Sequence, residues 1–504
     1  MKELIDKDIE RFIGRYSIGR DSNPMNQTGS THFLRVKVPG GFLTTKQLRG
    51  IANLTKKYSR SHAEITNRQS IQLHWVDAND ALEIFSKMEK LGFTTDMCGQ
   101  SFKGARHGDA RNIVCCPVSG IGKDELLNGQ PLMQKLTNFF IGNPDFLDLP
   151  KKFKFSISGC RSDCTHAIIN DFSFVAVKKR EQIGYAALVG GGMGASLPGP
   201  RMARSAGIFI NPKDAFEVAV AAIEIHRDYG NRETKMKARF KWLLDDWGLQ
   251  KFLRVLESKL GKSFEKYKGP IFTKNNCHYG VQVQKQKAHY HINIPLLGGF
   301  LSSNQMINLA DVVDKYGSGE LNFTCKQNII LPNIQDKKLV LKHLEDIGFS
   351  LQVSRLQWSS QACASFFCGK TKSPHAKQIV KEIVEYLESN YTKKLLDEAK
   401  FAIYTSGCRN NCCSNLLSEI GLRGSLRKNE KGELEQNYDI LLQSNCKEEL
   451  GLGHVIEKVV PAEEIKKKLK ALLKNYFKNR KLNEELNQFL KRHTIEELKE
   501  YLED

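Results

Sequence analysis

No apolar run in this 504-residue sequence approaches the ~20 residues that a membrane-spanning helix needs. The opening MKELIDKDIERF is charged and amphipathic and lacks the apolar core of a signal peptide, so the expected location is the cytoplasm. Proline is scarce, at 14 residues, and with 40% hydrophobic and 26% charged residues the composition is that of a globular protein. Acidic residues are short too: 56 Asp and Glu face 76 Lys and Arg, a formal net charge of +20. Such a surface attracts polyanions, whether nucleic acid, an acidic protein or anionic substrates. Helix-turn-helix, zinc-finger and RNP-type patterns are all missing, which argues against nucleic acid. The lysine-rich run EEIKKKLKALLKNYFKNRK reads as the solvated face of an amphipathic helix.

What is present begins with length and thiols. A chain this long is expected to divide into two to four domains. Thirteen cysteines without an export signal do not read as a disulfide framework, and clustered thiols in a reducing compartment bind metal or do redox chemistry. The scattered Cys98, Cys277 and Cys325 are expected to be buried small hydrophobes.

The sequence also repeats itself. Gly40-Gly41-Phe42-Leu43 matches Gly298-Gly299-Phe300-Leu301, an offset of 298 − 40 = 258. The same offset relates Gln47 to Gln305, Ala52 to Ala310, Tyr58 to Tyr316, Thr66 to Thr324 and Gln69 to Gln327. Each copy reads as strand, glycine turn, helix, turn and strand, with Thr44 or Ser302 placed to cap the helix. Downstream, FSISGCRSDC ending at Cys164 matches IYTSGCRNNC ending at Cys412, at an offset of 412 − 164 = 248. Two homologous halves joined after residue 270 suit a protein gripping one large, nearly symmetric ligand.

In the second half, QACASFFCGK carries Cys363 and Cys368, and SGCRNNCCSN carries Cys408 and Cys412. Two pairs of thiolates suit either tetrahedral zinc or a cubane iron–sulfur cluster, although the spacings are C-x4-C and C-x3-C rather than the C-x2-C of zinc knuckles. With these motifs the chain resembles the siroheme-containing sulfite/nitrite reductases of the assimilatory, ferredoxin-dependent type, from about Arg15 to near residue 460. The family pattern, A-C-x5-C followed by G-C-x3-C, implies that Cys363, Cys368, Cys408 and Cys412 hold a [4Fe-4S] cluster. It further implies that Cys412 is shared with the siroheme iron. The first loop is one residue shorter than the family's, and Cys413 is expected to point away as a non-ligand.

PGGFLTTKQL and ITNRQSIQLHWV resemble family segments that line the siroheme, which implies contacts from Gln69, Gln72 and His74. GYAALVGGGMGASLPGPRMA resembles the glycine-rich stretch whose amides approach the macrocycle's carboxylates, implying roles for Gly191, Gly192, Gly194 and Arg201. Reduction of a small oxyanion needs fixed cations around it. Arg68, Arg111, Lys152 and Lys154 stand at the family positions, and alternation along LPKKFKFSIS puts both lysines on one face. The Lys152-Phe153-Lys154 triplet and His74 resemble the sulfite-reducing branch, whereas SFFCGK resembles the nitrite enzymes. Cys115, Cys116, Cys160 and Cys164 repeat the cluster positions in the first half, and are expected to be a relic of the duplication.

The resemblance implies an α+β (mixed α/β) fold of two pseudo-symmetric halves, in a three-domain architecture around a central siroheme. The expected units are a ferredoxin-like half-domain over 1–82, a siroheme and substrate domain over 83–275 and a second half-domain over 276–342. A cluster domain over 343–460 and a helical segment over 461–504 complete the chain. The implied activity is six-electron reduction of sulfite to sulfide, with nitrite reduction to ammonia as the alternative and a zinc-structured, non-catalytic binding protein as the rival of another class. No nicotinamide or flavin domain is visible, so electrons are expected from an acidic ferredoxin. Neither nucleic acid nor membrane is an expected partner.

Overall fold

A computed structural model describes residues 32–93, 108–194, 199–273, 278–365, 375–428, 431–444 and 452–503. Cys98, Cys277 and Cys368 lie outside the described residues.

The two sequence copies form two ferredoxin-like units that exchange a strand. In the first, His32–Val36, His62–Ile65 and Ile71–Val76 make an antiparallel sheet, completed by Phe300–Ser302 from the second copy. In the second, Phe42–Thr44 from the first copy returns the exchange by pairing with Glu320–Phe323. The registers are equivalent, Phe300 opposite Glu64 and Phe42 opposite Asn322. One hydrophobic core therefore serves both units, containing Leu34, Ile51, Ile65 and Leu73 beside Ile292, Leu309, Phe323 and Leu331.

Local chemistry explains why each copy folds this way. Thr44 and Ser302 cap the helices Thr45–Tyr58 and Ser303–Tyr316, with Gln47 and Gln305 closing capping boxes. Gly41 has φ +80°, and a Cβ there would stand 2.3 Å from the carbonyl oxygen of Phe323. Gly299 repeats this at φ +72°, with 2.7 Å to the carbonyl of Ile65. Only glycine permits the exchanged strands to approach so closely. The two helices pack together, and Arg49 bridges to Asp311 and Asp314 across the pseudo-dyad, both at 2.5 Å.

Each unit is followed by a larger sheet, and these two sheets are also equivalent. In the first, Val114–Cys115, Phe155–Ser158, Phe172–Lys179, Gln182–Val189 and Arg204–Ile210 lie in that order, with Glu265–Lys266 beyond. In the second the order is Gln361–Ala362, Ile403–Ser406, Ile420–Lys428, Leu434–Leu442 and His454–Pro461. Both begin with two parallel pairings and continue antiparallel. The helices Ala215–Tyr229 and Phe240–Leu260 cover the first, which has its own aromatic core around Phe153, Phe155 and Phe240. The lysine-rich run forms the helix Ala462–Asn479, whose apolar face joins the core of the second sheet through Ile465, Leu469 and Leu472. Among the described residues, no helix is long and apolar enough to cross a membrane.

Candidate active site

Both cysteine-bearing turns are held by a matched pair of glutamines. Gln69 donates through Nε2 to the carbonyls of Cys115 and Phe323, at 2.9 and 2.8 Å, and accepts from the Cys115 amide at 2.9 Å. Gln327 donates to the Ile65 carbonyl at 2.9 Å and accepts from the Ala362 amide at 3.1 Å. Both have positive φ, +57° and +63°. The amide of Gln69 is thus occupied by backbone, and its part in the site is to position the strand end at Cys115.

In the second half, Cys363 follows the strand Gln361–Ala362, and its Sγ accepts from the Gly407 amide at 3.2 Å, next to Cys408. Cys363 and Cys408 are partly buried and Cys412 is exposed. The neighbouring Cys413 is buried, and burial pushes its thiol up to about 12, which leaves it inert. Asn67 donates to the carbonyl of Cys412, and Asn411 donates to that of Met193 at 3.0 Å. The Cys412 turn therefore rests on the Thr66–Gln69 turn of one unit and the glycine-rich stretch of another.

The four expected cations lie near one another: Lys152 feels Arg111 and Cys412, and Lys154 feels Arg68 and Lys152. Arg68 is fixed by Asn170 Oδ1 at 2.7 Å and the Asn112 carbonyl at 2.6 Å, and Arg111 pairs with Asp109 at 3.4 Å. The regular strand begins only at Phe155, because the Lys154 amide donates to Asp171 Oδ2 at 3.0 Å instead of to a neighbouring strand. Phe153 is nevertheless fully buried, so Lys152 and Lys154 share the other side. Water reaches both lysines, although each sits deep among protein atoms. Among the described residues, neither ammonium group has a hydrogen-bond partner. Burial, and then Arg111 and Arg239, push Lys152 down to about 7, against the opposing pull of Cys412 and Asp171. Burial, and then Arg68, Lys152 and Arg239, hold Lys154 well below the ordinary lysine value. Arg68, Arg111, Arg239, Lys152 and Lys154 outnumber the two carboxylates beside them, Asp109 and Asp171, and an excess of cations is complementary to a negatively charged ligand.

Sequence reasoning missed Arg239 and Asp171. The fully buried Asp171 receives Arg239 through both carboxylate oxygens at 2.9 Å and organises the lysine strand from below. A lone arginine and a lone aspartate carry no motif, so only the fold brings them here. Gln72 and His74 come together elsewhere, around buried Glu64, at 2.9 and 3.1 Å. Arg35 joins them by donating to Gln72 Oε1 at 2.7 Å.

The glycine-rich stretch is tied to the protein's own backbone. The amides of Gly190, Gly191 and Gly192 donate to the carbonyls of Asp171, Asn170 and Arg201, at 2.9, 2.8 and 2.8 Å. In this arrangement these three amides donate to protein carbonyls. Gly191 is glycine because a Cβ would lie 2.5 Å from the Asn170 carbonyl. Gly194 faces the Asn410 carbonyl, and Arg201 pairs with Asp245 at 3.0 Å while lying over Trp242.

A duplicated α+β chain that sets a thiolate turn beside an excess of cations has the makings of a redox enzyme for a small anion. Comparison with known proteins agrees. The family described as "Nitrite and sulphite reductase 4Fe-4S domain" matches residues 107–264, and "Nitrite/Sulfite reductase ferredoxin-like half domain" matches residues 23–91 and 282–341. The chain is 29% identical over 455 residues to a ferredoxin–nitrite reductase of Leptolyngbya laminosa, covering 87% of this chain and 85% of that one. It is 28% identical over 469 residues to sulfite reductase (ferredoxin) 2 of Mycolicibacterium paratuberculosis, covering 90% and 78%. The solved structure of Mycobacterium tuberculosis NirA superposes with a TM-score of 0.83 at 26% identity, covering 93% of this chain and 85% of that one. The chain belongs to the sulfite/nitrite reductase family and is an oxidoreductase. The rival reading as a zinc-structured binding protein falls with that membership.

The family's cofactors are a siroheme and a [4Fe-4S] cluster, and the residues present fit both. Cys363, Cys408 and Cys412 offer soft thiolate ligands on adjoining turns. Lys152 and Lys154 and the arginines beside them suit the carboxylates of the macrocycle and an anionic substrate.

One prediction arises from Lys152. A lysine near 7 loses its charge as pH rises through neutrality, so anion affinity is expected to fall above about pH 7, by up to about tenfold per unit. The check is the KM for nitrite, a monoanion throughout, between pH 6 and 9. Lys152→Arg, which stays charged, flattens the profile.

Proposed function

We propose that this chain reduces sulfite to sulfide in the cytoplasm, with electrons from an external ferredoxin. The observation carrying this reading is the gathering of Lys152 and Lys154, which have no hydrogen-bond partner at their ammonium groups among the described residues, with Arg68, Arg111 and Arg239. Sulfite is more highly charged near neutrality than nitrite, and so many cations in one pocket suit the more highly charged anion. When bound, the cluster would relay the donor's electrons and the siroheme would supply the redox-active iron.

The protein's own groups do the rest. Arg68 and Arg111, held by Asn170 and Asp109, keep their guanidinium groups fixed for substrate oxygens. Lys152, near neutrality, donates a proton to a departing oxygen and recovers it from water. Lys154 stays in place through Asp171 and balances the charge that develops.

Nitrite reduction by the same machinery is the second reading, since relatives of both kinds match at 29% and 28% identity. Steady-state reduction of both anions with a chemical donor separates them. A higher kcat/KM for sulfite is expected, and a clear preference for nitrite overturns the assignment.

The donor follows from the net charge of +20, which steers a small acidic protein towards the surface. Ferredoxin-linked turnover at limiting donor is expected to fall about tenfold or more between low and physiological salt. Turnover with a small chemical donor serves as the control and stays nearly constant.

A further inference from the structure

The first half was expected to keep only a relic of the cluster ligands. The structure instead gathers Cys116, Cys160 and Cys164 with His278, all buried, their donor atoms within 4.8 Å of one another. It is the only such group of three or more among the described residues. Strand register explains the three cysteines. The Cys116 amide donates to the carbonyl of Ile157 at 3.0 Å, as the Cys363 amide donates to that of Thr405 at 3.0 Å. Cys116 is thus the counterpart of Cys363, while Cys160 and Cys164 are the counterparts of Cys408 and Cys412. The position matching Cys368 is Ile121, and no thiol stands there. His278 enters from the start of the second half and takes the fourth place.

We propose that these four side chains bind a single tetrahedral zinc ion. The separations decide between one ion and a second cluster. Sulfurs on a tetrahedral zinc with bonds of about 2.3 Å stand about 3.8 Å apart, and a sulfur and an imidazole nitrogen about 3.6 Å apart. Here Cys116 and Cys160 are 3.7 Å apart and Cys160 and Cys164 3.4 Å. His278 Nε2 lies 3.5 Å from Cys116 Sγ and 3.6 Å from Cys160 Sγ. In a cubane each thiolate binds a different iron at an outer corner, which drives the thiolates much farther apart.

The surroundings complete a closed site. Ser158 Oγ approaches Cys160 Sγ at 3.7 Å and Cys164 Sγ at 3.9 Å, placing a hydroxyl against two thiolates. Asn293 donates to the His278 carbonyl at 2.9 Å and fixes the backbone that presents the ring. Val118 and Ile330 pack around the thiols. Four protein ligands leave no open position for substrate, and borderline-soft N and S donors match zinc. The ion fastens the Cys160–Cys164 turn, which ends the lysine-bearing segment, to the beginning of the second half. A groove past Gly122, Arg161 and Gln282 reaches Cys160 and His278 and gives the ion a route in.

The test is metal analysis of the full-length holoenzyme, with X-ray absorption at the zinc edge. About one zinc per chain is expected, bound by three sulfurs near 2.3 Å and one nitrogen near 2.0 Å. Cys116→Ser and His278→Ala are each expected to lose the zinc while siroheme absorbance and cluster iron stay unchanged. If those variants do not fold, growth on cobalt carries the test through the thiolate charge-transfer and tetrahedral bands of the wild-type chain. An all-sulfur zinc shell would show zinc in the cluster site and overturn the proposal. Absence of zinc, or iron beyond that of one cluster and one siroheme, would overturn it as well.

Discussion

Lys154→Met is expected to lower kcat by about 10²- to 10³-fold while leaving siroheme content intact and thermal stability no lower than that of the wild type. The magnitude is that of removing one preorganised donor from a site where charge develops. The stability result follows from the sign of the shift. A lysine held well below its ordinary value is one whose charge the folded state disfavours, so the fold bears a penalty throughout the range in which the unfolded chain is protonated. Methionine has similar length and removes that penalty. A residue kept for structure would behave in the opposite way, losing stability first and activity through it. Lys154→Arg restores a charge, though with a broader head group, and is expected to recover part of kcat. Rates compared at equal siroheme absorbance check both variants, and a thermal melt checks the stability; unchanged kcat in Lys154→Met would remove this lysine from the chemistry.

The same residues show how far the sequence could be read. The duplication was legible because matched glycines, caps and glutamines share one offset, and every such pair in the two half-domains proved structurally equivalent. The lysine pair stood out because two cations break into an apolar run, but the regular strand starts only after them, at Phe155. The strand exchange was not legible, since Phe42–Thr44 and Phe300–Ser302 have the same pattern whichever sheet receives them. The glycine-rich stretch signalled close backbone approach but not the approaching group, which is the Asn170 carbonyl at Gly191. His278 was invisible for a related reason. Its cysteine partners are more than a hundred positions away, and a single histidine outside any motif says nothing until the fold places it.

The second large effect concerns the joint between the units. Lys377→Met is expected to destabilise the protein by about 3–5 kcal/mol, because it takes the lysine away from a buried carboxylate and leaves only Gln72 and His74 beside Glu64. Glu64 and Lys377 meet at 2.7 Å, with side chains 1% and 2% exposed. Glu64 lies on the strand His62–Ile65, whereas Lys377 opens the helix Ala376–Asn390 of the cluster-bearing half and also donates to the Gly298 carbonyl. One ammonium group thereby joins three segments, two of them the repeat copies. Burial works against the Glu64 charge, but Lys377 and His74 outweigh it and hold the carboxyl well below its ordinary range. The folded value being the lower, this stabilisation is fully present above the unfolded value of about 4.3 and is lost as pH falls below it. Lys377→Met should therefore lower the urea midpoint strongly at pH 7 and progressively less towards acid, where the wild type loses the same contribution. Glu64→Gln in the Lys377→Met background removes the stranded charge and is expected to regain most of the loss, since an apolar or neutral replacement of both partners costs far less than breaking one. An additive double variant would mean that the pair does not couple the units and that the loss comes from packing around the Lys377 side chain.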